Sequence, residues 1–333
     1  MRELTSDPAP GADIAFVDPQ LRGPLEELFK EPIEVNQENL QSLRDMPLAG
    51  KREPAASPSW ELRLIAGPRG SPDVPVYVVN AQSVGSAKPA ILHIHGGGYV
   101  MGSAATSVPA LQPIAGQLDC VVISVEYRLA PETRFPGSLE DNYAALKWLH
   151  DNAPSLGVDA GRIAVMGESA GGGHAVMLAI AARDRDEIPL VAQVLLYPML
   201  DDRTGTSRNA PAPIGRYVWT PASNRFGWSS LLGKPAGSDP IPDGAVPARV
   251  SDLKGLPPAF IGLGSLDLFV NEDIEYASRL LQAGVATELV VLPGAYHAFD
   301  MLCPDAPLSR QLHAARLEML RRHLCPPTVR TAA

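Results

Sequence analysis

The sequence predicts an α/β protein with a mostly parallel sheet flanked by helices, and three observations carry that expectation. Eight short runs rich in valine, isoleucine and leucine recur along the 333 residues. Several lack the apolar and polar alternation of a strand with one wet face, as strands buried on both faces do. Room for a helix separates most runs from the next, and a parallel crossover needs a covering helix.

In chain order, strands are expected at Glu61 to Ile65, Val74 to Val79, Ile91 to His95, Val121 to Tyr127, Ile163 to Met166, Val191 to Tyr197, Ala259 to Leu263 and Glu288 to Leu292. Helices are expected at Ser107 to Leu118, Ser138 to Asp151, Ala170 to Arg183, Glu272 to Ala283 and Leu308 to His323. Two stretches break the alternation, and a smaller cap is expected from them. Residues 1–59 carry Leu21, Leu25, Leu28 and Phe29 at helical spacing, followed by Val35 to Leu43. Residues 201–250 form a proline-rich insertion with Tyr217, Trp219, Phe226 and Trp228. Aromatic side chains there either pack locally or line a substrate pocket. The expected organisation is an N-terminal cap segment at 1–59, a main domain at 60–200 and 251–333, and a cap insertion at 201–250.

Composition narrows the function classes. With 45% hydrophobic and 20% charged residues the chain is an ordinary globular one, and its 33 prolines mark many sharply punctuated loops. A net charge of −9 with no Lys/Arg block argues against a nucleic-acid partner. No run of about 18 apolar residues occurs, so no membrane partner is expected. Glu3, Asp7 and Asp13 interrupt the stretch where a signal peptide needs an apolar run. A cytoplasmic location is therefore expected. Three widely spaced cysteines, Cys120, Cys303 and Cys325, suit reduced thiols better than a disulfide framework or a zinc site.

The chemistry starts where the strand Ile163 to Met166 runs into Gly167-Glu168-Ser169-Ala170-Gly171 and then a helical stretch. This is G-x-S-x-G in the strand–turn–helix setting of a nucleophile elbow. The sharp turn brings backbones together, so Gly167 and Gly171 must lack Cβ, and it projects the Ser169 hydroxyl above the sheet. A second strand, Ile91 to His95, ends in His95-Gly96-Gly97-Gly98-Tyr99. Exposed amides there suit the negative oxygen that builds up in acyl transfer, where each donor contributes about 3 kcal/mol. Gly97 and Gly98 are the expected donors, with the Ala170 amide as third; His95 and Gly96 support the turn. No G-x-G-x-x-G spacing exists at this turn, so a dinucleotide site is excluded.

A serine hydroxyl needs a histidine base and a carboxylate to orient it. His297 lies in a loop just after the last expected strand, at the carboxyl end where doubly wound folds place ligands. His93 and His95 sit in or beside an apolar strand, which suits a structural role; His150, His174, His313 and His323 fall on expected helices. Asp267 follows the strand Ala259 to Leu263. Glu272 and Asp273 compete, but they fall at a helix start, where carboxylates complement the dipole. The order Ser169, Asp267, His297 is that of α/β-hydrolases. The pair Ser251 and Lys254 has an S-x-x-K form, but its companion motifs are absent.

Together, His95 to Tyr99, Tyr127-Arg128-Leu129-Ala130-Pro131-Glu132, Gly167 to Gly171, Asp267 and His297 resemble the hormone-sensitive lipase family of bacterial esterases. The resemblance implies an α/β-hydrolase fold with an eight-stranded sheet under a helical cap. It also implies hydrolysis of short to medium acyl esters through an acyl-enzyme, with no cofactor and no metal, and a homodimer through an edge strand. Tyr99, Glu168, Tyr217, Trp219 and Phe226 are the expected pocket residues. Three positions depart from the family pattern: Glu168 stands for Asp, Phe269 for Leu and Asn271 for Asp. Two other readings stay open. An amidase or deacetylase would be separated by rates on matched esters and amides, and a non-catalytic binding protein by failure to react with an organophosphate.

Overall fold

The computed structural model describes residues 12–27, 33–46, 53–81 and 87–325. Two 3-10 turns, Ala12–Phe16 and Pro19–Leu21, lead into α1 (Arg22–Glu27), and α2 (Leu40–Asp45) follows. Leu21 and Leu25 are buried as their spacing predicts, whereas Leu28 and Phe29 lie outside the described residues.

All eight expected strands form: β1 (Trp60–Ile65), β2 (Val74–Val79), β3 (Lys88–Ile94), β4 (Val121–Val125), β5 (Val158–Glu168), β6 (Ala192–Leu196), β7 (Ala259–Gly264) and β8 (Thr287–Leu292). They make one sheet in the order β1-β2-β4-β3-β5-β6-β7-β8. Only the pairings of β2 are antiparallel. β4 and β6 are buried along their whole length, which is why their sequences do not alternate, while β1 and β8 keep exposed positions at the sheet edges.

The covering helices are α3 (Ala104–Leu118), α4 (Gly137–Asp151), the single turn α5 (Ala153–Leu156), α6 (Ala170–Arg185), α7 (Pro221–Leu232), α8 (Val270–Gln282), the short α9 (Phe299–Leu302) and α10 (Pro307–Leu324). α4 packs on α6 and α3 on α10, each pair against the middle strands. The helix α7 was not expected within 201–250. Its start carries a legible signal: Thr220 Oγ1 accepts from the Ser223 amide at 3.2 Å and Pro221 occupies the first turn. Serines, Asn224 and Gly227 dilute its apolar periodicity, and Trp228, Leu231 and Leu232 are its buried apolar side chains.

The insertion and the N-terminal segment meet. The Val35 amide donates to Ser223 Oγ at 2.9 Å, and Arg216 faces Asp13 at 3.6 Å. Among the described residues no helix is long and apolar enough to cross a membrane.

Candidate active site

The parallel register brings the ends of β3, β5 and β6 side by side, with Ile94 opposite Gly167 and Gly167 opposite Leu195. Ser169 follows β5 directly, at φ 55° and ψ −123°, a strained setting for a residue with a side chain. A serine before a helix ordinarily caps it, but Ser169 makes no cap hydrogen bond to α6. Its Oγ instead lies 2.9 Å from His297 Nε2. The turn is as tight as expected: a Cβ on Gly171 would collide with the carbonyls of Ile94 and His95, and one on Gly167 with Gly171.

His297 stands in the loop between β8 and α9, and its Nδ1 lies 2.8 Å from Asp267 Oδ2. With Nδ1–H donating to the carboxylate, Nε2 is left to accept from the serine hydroxyl. Asp267, fully buried after β7, takes the Phe269 amide on its other oxygen at 2.9 Å. Two rings hold the imidazole edge-on, Tyr197 at 4.9 Å and Phe269 at 5.2 Å between centroids. Sequence reasoning missed both. Phe269, one of the departures from the family pattern, gives its amide to Asp267 and its ring to His297.

The rival acids do other work. Glu272 accepts from the amides of Leu200 and Asp201 at 2.7 and 3.1 Å and from the Thr204 hydroxyl, so it ties down the loop after β6 rather than serving the helix dipole alone. Asp273 is fully buried with neither oxygen partnered. Asn271 is exposed on α8 and takes no part around Asp267.

The glycine turn sits beside the elbow. Gly98 adopts φ +61°, and a Cβ there would strike the Trp219 ring, so the insertion packs directly on this turn. Gly96 lies against Ser169, and the Gly97 carbonyl accepts from the amides of Val100 and Met101 at 3.1 and 2.9 Å. Ala170 opens α6, where the amides and the dipole favour negative charge. His95 is a support, stacked on Tyr127 at 4.3 Å, and burial drives its imidazole down to about 4. His93 bridges Ser124 and Glu168 at 2.8 and 2.9 Å, the structural role expected of it.

The expected pocket residues divide. Trp219 lies over the glycine turn, and Tyr217 and Phe226 are half-buried in the insertion. Tyr99 and Glu168 are engaged by other partners. The Tyr99 hydroxyl donates to the Met199 carbonyl at 2.8 Å, and its ring is locked against His174 and Trp228. Glu168 turns to His93 and Arg316; burial is the largest single influence and would raise its carboxyl, but His93 and Arg316 together hold it below the usual range.

The chain is similar to known proteins. A family described as alpha/beta hydrolase fold matches residues 91–301. A carboxylesterase of Mycobacterium tuberculosis, NlhH, is 35% identical over 277 residues, which cover 79% of this chain and 84% of that one. An ethyl acetate hydrolase of Pseudomonas putida is 35% identical over 71% of this chain and 73% of its own. Among solved structures, a bacterial heroin esterase superposes with a TM-score of 0.82 at 35% identity, covering 93% of this chain and 99% of that one. Esterase LipW from Mycobacterium marinum gives 0.82 at 34% identity over 95% and 98%.

Proposed function

The chain belongs to the α/β-hydrolase family, and we propose that it is a carboxylesterase in which Ser169, His297 and Asp267 hydrolyse short to medium acyl esters. The observation that carries the reading is the continuous line from the Ser169 hydroxyl to His297 at 2.9 Å and on to Asp267 at 2.8 Å. Its relatives, named as esterases, support the same reaction.

In the proposed mechanism Ser169 Oγ attacks the ester carbonyl carbon while its proton passes to His297 Nε2. The charge that forms on the carbonyl oxygen is met by the amides of Gly97, Gly98 and Ala170, and Asp267 stabilises the imidazolium. His297 then protonates the departing alkoxide, leaving an acyl-serine and a free alcohol. Water attacks the acyl carbon as His297 takes its proton, and collapse returns the carboxylic acid and the serine. The substrate is a small-molecule ester.

The segments 1–59 and 201–250 form the cap in this proposal, over a catalytic domain at 60–200 and 251–333. Support comes from Trp219 on the glycine turn and from the contact between Val35 and Ser223. A cytoplasmic location fits the three free cysteines, and a homodimer through β8 fits exposed Leu289 and Val291 on that edge. The test is p-nitrophenyl ester hydrolysis across acyl lengths, paired with stoichiometric labelling by an organophosphonate. Turnover with a short to medium optimum and a single label on Ser169 is expected. Faster cleavage of the matched anilide would move the reading to an amidase, and no labelling would remove the enzyme.

A further inference from the structure

The stretch Tyr127 to Glu132 has no place in the reaction as written, yet its polar groups converge on the glycine turn. The Tyr127 hydroxyl donates to the His95 carbonyl at 2.9 Å, and the Ala130 amide donates to the Tyr99 carbonyl at 3.0 Å. A third partner arrives from far away in sequence. Arg44, at the end of α2, donates from Nε to the Val100 carbonyl at 2.8 Å and from Nη2 to the Ala130 carbonyl at 2.9 Å. Its Nη1 and Nη2 grip both oxygens of Glu132 at 2.8 and 2.9 Å.

We infer that Arg44 is a positioning residue for the oxyanion-binding turn, acting from the N-terminal segment. Val100 lies within the turn itself, since its amide closes on the Gly97 carbonyl at 3.1 Å. The Val100 carbonyl shares its peptide plane with the Met101 amide, which donates to the Gly97 carbonyl at 2.9 Å, so holding it steadies the Gly97–Gly98 peptide plane that aims the Gly98 amide. A planar guanidinium suits this task, because its fork can serve two carbonyls and one carboxylate at once, which an ammonium cannot. Arg44 is 17% exposed and Glu132 62% exposed, so the inner end of the contact is sheltered and Glu132 acts from outside as a counter-ion. Hydrogen bonding to Arg44 brings the Glu132 carboxyl down to about 2, which keeps the pair ionised at working pH.

The inference rests on the hydrolytic reading above, and its test keeps the two apart. Wild-type enzyme is first shown to turn over a p-nitrophenyl ester and to be labelled at Ser169 by an organophosphonate; failure there removes the reading of function. Arg44→Ala, Arg44→Lys and Glu132→Gln are then compared for kcat, KM and inhibition by an alkyl trifluoromethyl ketone, whose adduct with Ser169 places an oxyanion in the turn. Outright removal of one oxyanion donor costs about 10² to 10³ in kcat, so a loosened turn should cost about 10 to 100. That loss is expected in Arg44→Ala with KM nearly unchanged and the ketone weakened in proportion. Arg44→Lys should fall between, and Glu132→Gln should lose least, since an amide oxygen still accepts from Arg44. Low millimolar methylguanidinium should restore part of the Arg44→Ala loss. If Arg44→Ala does not fold, Arg44→Lys and Arg44→Gln carry the same comparison. Folded variants with unchanged kcat and ketone affinity, or a loss confined to KM, would overturn the inference.

Discussion

His297 with Asp267, and His174 with Asp273, are two buried sets of the same residue types that burial treats alike and hydrogen bonding does not. In the first set both imidazole nitrogens and both carboxylate oxygens are engaged. In the second, the two nitrogens of His174 and the two oxygens of Asp273 are fully enclosed and unpartnered, although the two residues sit on different helices. His174 is wedged edge-on between Tyr99 and Tyr127, and burial drives it to about 3, so it stays neutral. Burial, aided by repulsion from Glu272 and Asp267, pushes Asp273 well above the ordinary carboxyl range. What separates the two sets is the partner, and position on a helix does not decide it, since Glu272 beside Asp273 finds three.

The first set is broken most severely by Ser169→Ala. The elbow accepts Ala, but the nucleophile is gone, and turnover should fall by about 10⁶ as in other serine triads. Esterase assays on protein free of contaminating hydrolase check this, and residual activity above a few per cent of wild type would sink the triad.

Asp267→Asn should cost about 10⁴ in kcat, because His297 loses both its tautomer and the support of its protonated form. Glu272→Gln should cost far less turnover and act mainly on stability, since its carboxylate holds the Leu200–Thr204 loop. Parallel kinetics and melting curves separate the two, and the opposite ranking of rates would name Glu272 as the acid.

How far the sequence foretold these sets follows from where the residues lie. Ser169, Asp267 and His297 each follow a strand whose apolar run is easily read, and strand-end position is itself the signal. Phe269 and Tyr197 were not read because an aromatic contact to an imidazole leaves no spacing pattern, only a meeting of three loops. Glu168 and Tyr99, neighbours in sequence to the serine and the glycine turn, likewise find their partners His93 and Met199 in segments that the chain brings up from elsewhere. The helix α7 hid behind serines and a glycine, although Thr220 and Pro221 marked its start. Arg44 lay in a segment read only by its leucines, and a guanidinium that bridges 86 residues to the Ala130 carbonyl leaves no local trace.

Asp273→Asn tests the second set on stability. With its folded pKa above the unfolded value near 3.8, Asp273 binds a proton in the folded chain that the unfolded chain has released. Stability from this group is therefore fully present below about pH 3.8 and is lost as pH rises, about tenfold in the folding constant per unit, until the folded group also ionises. The asparagine variant should lose that decline and stand above wild type at pH 7 and higher, with kcat within a few-fold. Urea titrations at several pH values check it. An unchanged pH profile would mean that Asp273 has a partner.

His174→Leu should produce the smallest change and one of opposite slope. The unfolded chain holds a proton on this histidine below about 6.5, whereas the folded chain refuses it until about 3. Stability from the wild-type residue is thus full above pH 6.5 and falls by up to about tenfold in the folding constant per unit as pH drops through that window. Leucine fills a similar volume and cannot be protonated, so the variant should match wild type at pH 7.5 and exceed it at pH 5. His95, driven to about 4 by the same burial, keeps part of the acid slope in the variant, so the change to look for is the loss of one proton's share. Because the Asp273 slope runs the other way above about 3.8, the two contributions oppose each other where they overlap and the two substitutions must be read separately. If His174→Leu leaves the acid slope intact, the folded chain accepts a proton on His174, and the contrast with His297 rests on something other than missing partners.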